Sequence, residues 1–526
     1  MRKVIPSLIV ALQVLLLGLM VALVLAQANP LYKMPNSDGG LFMYMGQQIL
    51  KGKLLYVDMW DHKGPLIFYI NAFGLYLGQG YRWGVWGTEF IFVFFASFLG
   101  FKVMQKKWGL VAALFGTYLW LLGFEKLMRG GNFTEDYSLL FNFTAIYLFW
   151  LNMQKNSRWW RLFLIGVMLS LNFLLRANNI GVELSIVAVI LISGHLDKEY
   201  QQSLKKVLWI ATGSLFTLVI VAIYFLYIGT FEEMVVAGYV YNFFYSDETN
   251  ILAGLIASLV RGRKLLGYIL VPSLLGFLIL FEKLYETFQY QNRKNRNFYF
   301  LLLIGWPLEM ILSSLSGRNY AHYYICWLPY IAILSALFFD YIISPVVIGK
   351  LQKHAIITLS IAILLLVIPN NAILNQYQEA FSRILVNRGA GIEYIHPVAR
   401  YIRGNTSPSD TVLVWGYHPA INLMAKRDSP TGVLLYPMLV DSPYTEEMNA
   451  QFLQNLIENQ PKLIVDMVNP DNGRIPFIDP VLRETQGKKL DRFQPPPNLD
   501  RVFNYIFENY HVETIINDVQ IYRINN

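Results

Sequence analysis

Long apolar runs separated by short polar breaks fill the first two thirds of the chain. A helix needs about 20 mostly apolar residues to cross a bilayer core. On that criterion spans are expected near 5–27, 82–101, 108–124, 137–151, 160–176, 179–194, 207–228, 265–282, 298–315, 323–341 and 355–371. That makes about eleven transmembrane helices. The stretch 160–194 is interrupted by Arg176-Ala177-Asn178-Asn179 and reads as two short helices or a kinked pair. Between the first two spans, 41–50 and 66–77 are helical in spacing but too short to cross, and suit helices lying in the interface. The start, Met1-Arg2-Lys3 and then apolar to Ala26, resembles a signal peptide. The run is too long for an h-region and further spans follow, so it reads as the first transmembrane helix.

The pattern changes after about Pro369. "DTVLVWG" (410–416) predicts a buried strand, "TEEMNAQFLQNLIENQ" (445–460) a helix, and "PKLIVDMV" (461–468) a second strand. "VETIINDVQIYRI" (512–524) predicts two more strands, and "RFQPPPNLD" (492–500) a loop. The expected fold is a polytopic α-helical membrane protein with a small extracytoplasmic α/β C-terminal domain. The expected division is a transmembrane domain over 1–375, with an outer loop at 28–81, and an α/β domain over 376–526.

Composition agrees. Of 526 residues 55% are hydrophobic and only 15% charged, against about 25% charged in soluble domains. In a soluble protein the net charge of +8 would point to nucleic acid. Here it is the charge of cytoplasmic loops against an anionic leaflet, and no nucleic-acid partner is expected. With the N-terminus cytoplasmic, each inward loop carries lysine or arginine, as at Lys102, Lys106 and Lys107 or at Arg293, Lys294 and Arg296. The C-terminal domain then lies outside, and the chain is a multi-pass protein of the cell (inner or plasma) membrane. Arg261-Gly262-Arg263-Lys264 is the exception, falling on the outer side. The single cysteine, Cys326, excludes an intrachain disulfide and reads as a small buried hydrophobe.

The chemically unusual residues gather on the expected outer side. Asp38, followed by two glycines, can take a proton from an incoming hydroxyl; equally, Ser37 or Asp38 would cap the helix that follows. "VDMWDHKGPLIF" (57–68) places Asp58, Asp61, His62 and Lys63 just before an apolar helix. Pro65 suits a first helical position, and Lys63 there can meet a phosphate at headgroup depth or simply snorkel. Glu135-Asp136 can hold a sugar's hydroxyls or a divalent cation, Mg, Mn or Ca, or can be an ordinary acidic helix start. "NFT" (132–134) is formally a glycosylation acceptor. "SGRNYAHYY" (316–324) brings Arg318, Tyr320 and His322 to the head of a span, and Arg176 ends another beside two asparagines. Such residues are functional when they face an interior cavity.

An outer-loop Asp soon after the first span, a "Y-x-D…K-x-P-L" segment, an acidic pair before the fourth span and a late "GR-x-Y-x-H-Y" segment occur here in order. The chain thereby resembles the polyprenyl-phosphate-dependent glycosyltransferases of the GT-C fold, family 39 type, which include protein O-mannosyltransferases and the lipid A aminoarabinose transferase. The resemblance covers roughly residues 1–345 and continues weakly beyond. It implies Asp38 as the catalytic carboxylate, Lys63 as the lysine meeting the lipid phosphate, and Glu135-Asp136 as the second acidic motif. It also implies a sugar donor on a polyprenyl monophosphate, inversion at the anomeric carbon, and a lipid, protein or cell-wall glycan acceptor. Arg176 and Arg318 are further candidates for the phosphate. Relatives often carry an acidic residue before the lysine and two prolines after it; His62 and Gly64-Pro65 depart from this. "YVYNFFYSDETN" (239–250) and the outer domain are candidates for acceptor contact. Rival readings are a transporter or flippase of lipid-linked sugars, a diphosphate-donor glycan ligase or polymerase, and a non-catalytic receptor. Against the transporter stand spans that read as clean, with the unusual residues on one side.

Overall fold

The computed structural model describes residues 4–154, 157–245, 251–343, 371–386, 392–434, 442–469, 475–489 and 499–525. The chain packs into two compact units. One takes residues 1–32, 86–224 and 247–388; the other takes 33–85, 225–246 and 389–526.

The first unit is a bundle of helices: α1 (Val4–Val24), α4 (Trp83–Met128), α5 (Thr134–Gln154), α6 (Trp159–Leu175), α7 (Gly181–Leu196), α8 (Tyr200–Tyr227), α11 (Ile251–Leu266), α12 (Leu270–Gln289), α13 (Arg293–Ser314) and α14 (Leu328–Ile343). Among the described residues, 6 helical runs are long and apolar enough to cross a membrane. They are Ile9–Ala28, Trp83–Met128, Tyr200–Tyr227, Leu252–Gln289, Arg293–Ser314 and Ala321–Ile342, and α6 and α7 are shorter apolar helices. The expected span at 355–371 lies, except for its last residue, outside the described residues.

Two expected spans, 82–101 and 108–124, form one run of 46 residues. A straight helix of that length would reach roughly 69 Å, about twice a bilayer core. The run is broken at Gly109, where φ is 87° and ψ 178°, a conformation open to glycine at little cost. The break follows Lys106-Lys107, where the sequence predicts a loop. Around Arg261-Gly262-Arg263-Lys264 the structure differs from expectation. The apolar stretch preceding these residues is helical, so they lie in the last turns of α11 rather than in a loop. Helices pack closely through small residues. A Cβ on Gly166 of α6 would strike the Ile210 carbonyl of α8, and one on Gly213 the Phe163 carbonyl, the contact membrane helices use in place of a hydrophobic drive. The core between α4, α5 and α14 holds Trp120, Phe143, Trp327 and Tyr330, all fully buried.

The second unit is assembled from three chain segments. Helices α2 (Ser37–Leu50) and α3 (Leu66–Leu77) contribute from the first, and short helices α9 (Phe231–Val235) and α10 (Asn242–Tyr245) from the second. The third supplies a sheet in the order β1-β2-β4-β3. Strands β1 (Val412–Trp415) and β2 (Leu463–Asp466) are parallel, joined by a crossover containing the helix Thr445–Asn459. Being covered on both faces, they read as continuous apolar runs. Strands β3 (Tyr510–Ile516) and β4 (Val519–Ile524) form a hairpin with β4 antiparallel to β2. Its turn residues, Asn517 and Asp518, have φ of 49° and 64°, the left-handed pair that a two-residue hairpin turn demands. Trp415, Phe452, Leu456, Phe503 and Ile506 fill the core beside the sheet. Arg82 ties the first segment to the third, bonding Glu393 at 3.3 Å and the Tyr394 carbonyl at 2.8 Å.

Asp466, at the end of β2, is buried and accepts from the Ile478 and Val468 amides at 2.8 and 3.1 Å. Burial pushes its carboxyl up from 3.8 to about 6. The folded state therefore holds this proton more tightly than the unfolded chain, and stability falls as pH rises from 3.8 through about 6. In wild type minus Asp466→Asn comparisons of thermal unfolding, lowering the pH from about 7.5 to 5 should favour wild type by about 1.4 kcal/mol.

Candidate functional site

The segment between α2 and α3 has no regular structure, so its polar backbone groups are paired individually. The Leu54 amide donates to Asp58 at 2.7 Å, and the Tyr56 amide to the Met59 carbonyl at 2.8 Å. The Trp60 amide donates to the Gly432 carbonyl at 3.0 Å. The Lys63 amide donates to Asp61 at 2.9 Å, the Asn242 side chain to the His62 carbonyl at 2.9 Å, and the Tyr56 hydroxyl to the Lys63 carbonyl at 2.7 Å. Asp58 is thus exposed and staples a turn, while Asp61 and His62 are buried.

This pairing lines up a carboxylate, an imidazole and an ammonium. Asp61 lies 4.0 Å from His62 Nδ1, and His62 Nε2 lies 2.8 Å from Lys63 Nζ. An ammonium can donate to Nε2 only if that nitrogen carries no proton, which places the ring proton on the Asp61 side. Burial raises the Asp61 carboxyl above its ordinary value; the Lys63 charge opposes this, and the charge of Asp38 adds to it.

Asp38 belongs to the same unit. The cap of α2 is neither Ser37 nor Asp38 but Asn36, whose side chain accepts from the Gly39 amide at 2.8 Å. Asp38 sits in the first turn and accepts from the Tyr417 hydroxyl at 3.3 Å. Tyr417 follows β1 with φ of 62°, a left-handed backbone that non-glycine residues adopt at a cost and mostly at functional positions.

The other candidates form a second constellation, in the helical unit. Glu135 is 1% exposed, forms an ion pair with Arg176 and accepts from the Thr134 hydroxyl at 2.9 Å. The Arg176 guanidinium lies 3.6 Å from the ring centre of Tyr323. His322 stacks on Phe133 at 4.1 Å and on Tyr320 at 5.8 Å. Asp136 accepts from the Phe133 amide at 2.9 Å at the head of α5. Arg318 lies in the turn after α13. The structure thus groups Asp38, Asp58, Asp61, His62 and Lys63 in one unit, and Glu135, Asp136, Arg176, Arg318, Tyr320 and His322 in the other. Among the described residues no group of three or more His, Cys, Asp or Glu is placed to hold a metal ion.

The apolar helices are less clean than the sequence reading holds. Glu89, Glu183 and Glu309 lie inside α4, α7 and α13 at 1%, 0% and 0% exposure. Glu89 accepts from the Asn132 amide at 2.9 Å, and Glu183 from the Asn172 side chain at 3.0 Å. Single carboxyls in long apolar runs are easily passed over by a window average.

Residues 2–369 match the family model described as "Putative competence-induced protein Ccs4 N-terminal domain". The chain belongs to that family. No curated protein matches its sequence. Among solved structures it resembles ArnT from Cupriavidus metallidurans bound to undecaprenyl phosphate, with a TM-score of 0.55 and 12% identity over 97% of each chain. The apo state of the same ArnT gives 0.54 and 12% identity over 99% of this chain and 98% of that one. This member of the Ccs4 family therefore has an ArnT-like fold and is a multi-pass membrane protein.

Two stability experiments check these assignments. Asn36→Ala should cost about 1 kcal/mol by removing the cap, while Asp38→Asn should leave the unfolding midpoint nearly unchanged. Glu135→Gln, which strands a buried guanidinium, should cost about 3 kcal/mol or more; the double variant Glu135→Gln/Arg176→Met should recover part of that loss.

Proposed function

We propose that the chain is a membrane glycosyltransferase that moves a sugar from a polyprenyl monophosphate to an acceptor hydroxyl on the outer face of the membrane. The observation that carries this reading is the carboxylate of Asp38. Asn36 does the capping, so Asp38 is left for chemistry, held by the Tyr417 hydroxyl in a unit that also contains Lys63. The fold, shared with an ArnT whose structure contains undecaprenyl phosphate, supports a lipid-linked donor.

In this mechanism Asp38 accepts the proton of the acceptor hydroxyl as its oxygen attacks the anomeric carbon. The bond from that carbon to the phosphate oxygen breaks on the opposite face, inverting the centre. The polyprenyl phosphate departs with one more negative charge. Lys63, oriented by His62 and Asp61, meets that charge. Arg176, in the helical unit, already shares its charge with Glu135. Any divalent cation would have to be bound by fewer than three of the described acidic or histidine side chains, or with help from the substrate.

A transporter of lipid-linked sugars is the second reading, favoured by the buried Glu89, Glu183 and Glu309, since carboxyls within membrane helices mark transport paths. The test uses purified full-length protein in detergent with a labelled polyprenyl-phosphate sugar and an envelope fraction as acceptor. Transfer should fall at least about 100-fold in Asp38→Asn and by a similar factor in Lys63→Ala. Donor movement across vesicles without transfer, unaffected by Asp38→Asn, would establish the transporter instead.

A further inference from the structure

The second unit contains a cavity of about 740 Å³ that the mechanism above does not use. Its floor is the irregular segment, through Lys53, Tyr56, Asp58 and Trp60. A second wall is the helix Thr445–Asn459, which presents Glu447, Gln451, Asn455 and Asn459 to the cavity. These positions are spaced by four, so they form one continuous ladder along a single helical face. The neighbouring face of the same helix, about 100° round, buries Phe452 and Leu456 in the core of the unit. The ladder is therefore a polar stripe turned into a concavity.

The ladder is chemically available. Glu447, Gln451 and Asn455 make no hydrogen bond to a described residue, and Asn459 spends only its amide nitrogen, on the Pro430 carbonyl at 2.8 Å. Carboxamides offer a donor and an acceptor side by side, which matches vicinal hydroxyl groups. Trp60 and Tyr444 supply aromatic surface; both pack on Tyr241, at 4.7 and 6.2 Å between ring centres. A few polar groups around aromatic faces are the usual lining of a small-molecule or oligomer site.

The charge of the lining narrows the ligand. Asp58, Glu232, Glu233, Asp428 and Glu447 line the cavity together with Lys53. Lys51 and Gln48 already hold Asp428, at 2.5 and 2.8 Å, and the Leu54 amide holds Asp58. Glu232, Glu233 and Glu447 remain. Such a cavity repels phosphodiester polymers and favours cations.

We propose that this cavity is the acceptor site, and that it takes a hydroxyl-rich glycan carrying free amino groups. The inference rests on the glycosyltransferase reading. Its geometric link to the chemistry is Tyr56, which lines the cavity and hydrogen-bonds the Lys63 carbonyl at 2.7 Å. Amino groups would sit against Glu447, Glu232 and Glu233. Hydroxyls would bridge the Gln451, Asn455 and Asn459 amides, with a sugar face on Trp60 or Tyr444.

The test is equilibrium binding of defined oligomers to the purified full-length protein in detergent, followed by tryptophan fluorescence and by calorimetry. The probes are a glucosamine tetramer, an N-acetylglucosamine tetramer and a poly(glycerol phosphate) of similar length. The glucosamine tetramer should bind saturably, and the other two at least about tenfold more weakly. Glu447→Gln and Gln451→Ala change exposed side chains; each should weaken the glucosamine tetramer about tenfold with the unfolding midpoint unchanged. Equal binding of the acetylated tetramer, preference for the polyanion, or insensitivity to both variants would overturn the proposal. Asp38→Asn separates the two readings. Cavity binding that persists in a protein without Asp38-dependent transfer would sink the enzyme reading and leave a glycan-binding site. Asp38-dependent transfer without cavity binding would sink only the acceptor assignment.

Discussion

A stretch of chain without helix or strand must find a partner for every buried backbone group it carries. In the second unit that requirement falls on the residues between α2 and α3, and most of its local architecture follows from how it is met. Asp58 and Asp61 turn their carboxylates back onto the amides of Leu54 and Lys63. Tyr56, Asn242 and Gly432 complete the pairing. The direction of the Lys63 side chain is a result of this pairing, because its amide and its carbonyl are both held. A lysine on an unpaired loop would sample many directions, and in the proposed mechanism it would meet the departing phosphate less well. Asp61 has two functions in this arrangement, as turn acceptor and as the acidic end of the Asp61–His62–Lys63 row.

The helical unit meets a different demand. A charge taken out of water must be neutralised or paired. Glu135 and Arg176 pair with each other, and the ring of Tyr323 covers the guanidinium. Glu183 relies on the amide of Asn172, which in turn donates to Asn142 at 2.7 Å.

Much of the fold was legible because hydrophobic periodicity reports burial directly. Among the described residues the apolar runs, the two short helices after the first span, the four strands and the helix between β1 and β2 stand where the pattern puts them. Breaks were harder. The junction at Gly109 appears as two lysines and a glycine, which cannot tell a loop from a kink. The basic cluster at 261–264 read as a loop because charge outweighed the helical apolar stretch before it. The cap of α2 was misplaced by one or two residues, since Asn36, Ser37 and Asp38 are all competent caps and only geometry selects among them. Tyr417 and the ladder on Thr445–Asn459 were out of reach for a different reason. Their partners are hundreds of residues away in sequence, and no local pattern encodes a long-range contact.

The sheet order carries a consequence for biosynthesis. Strand β4 lies between β2 and β3, so β2 has no antiparallel neighbour until residues 519–524 have been made. The same unit draws on residues 33–85, which leave the ribosome early. These early residues must wait through the insertion of the helices between before Tyr417 can reach Asp38. Contacts so distant in sequence form late. A chain interrupted between β2 and β4 would carry its membrane helices and an unfinished sheet, and such a protein announces its incompleteness to quality-control proteases through an open sheet edge.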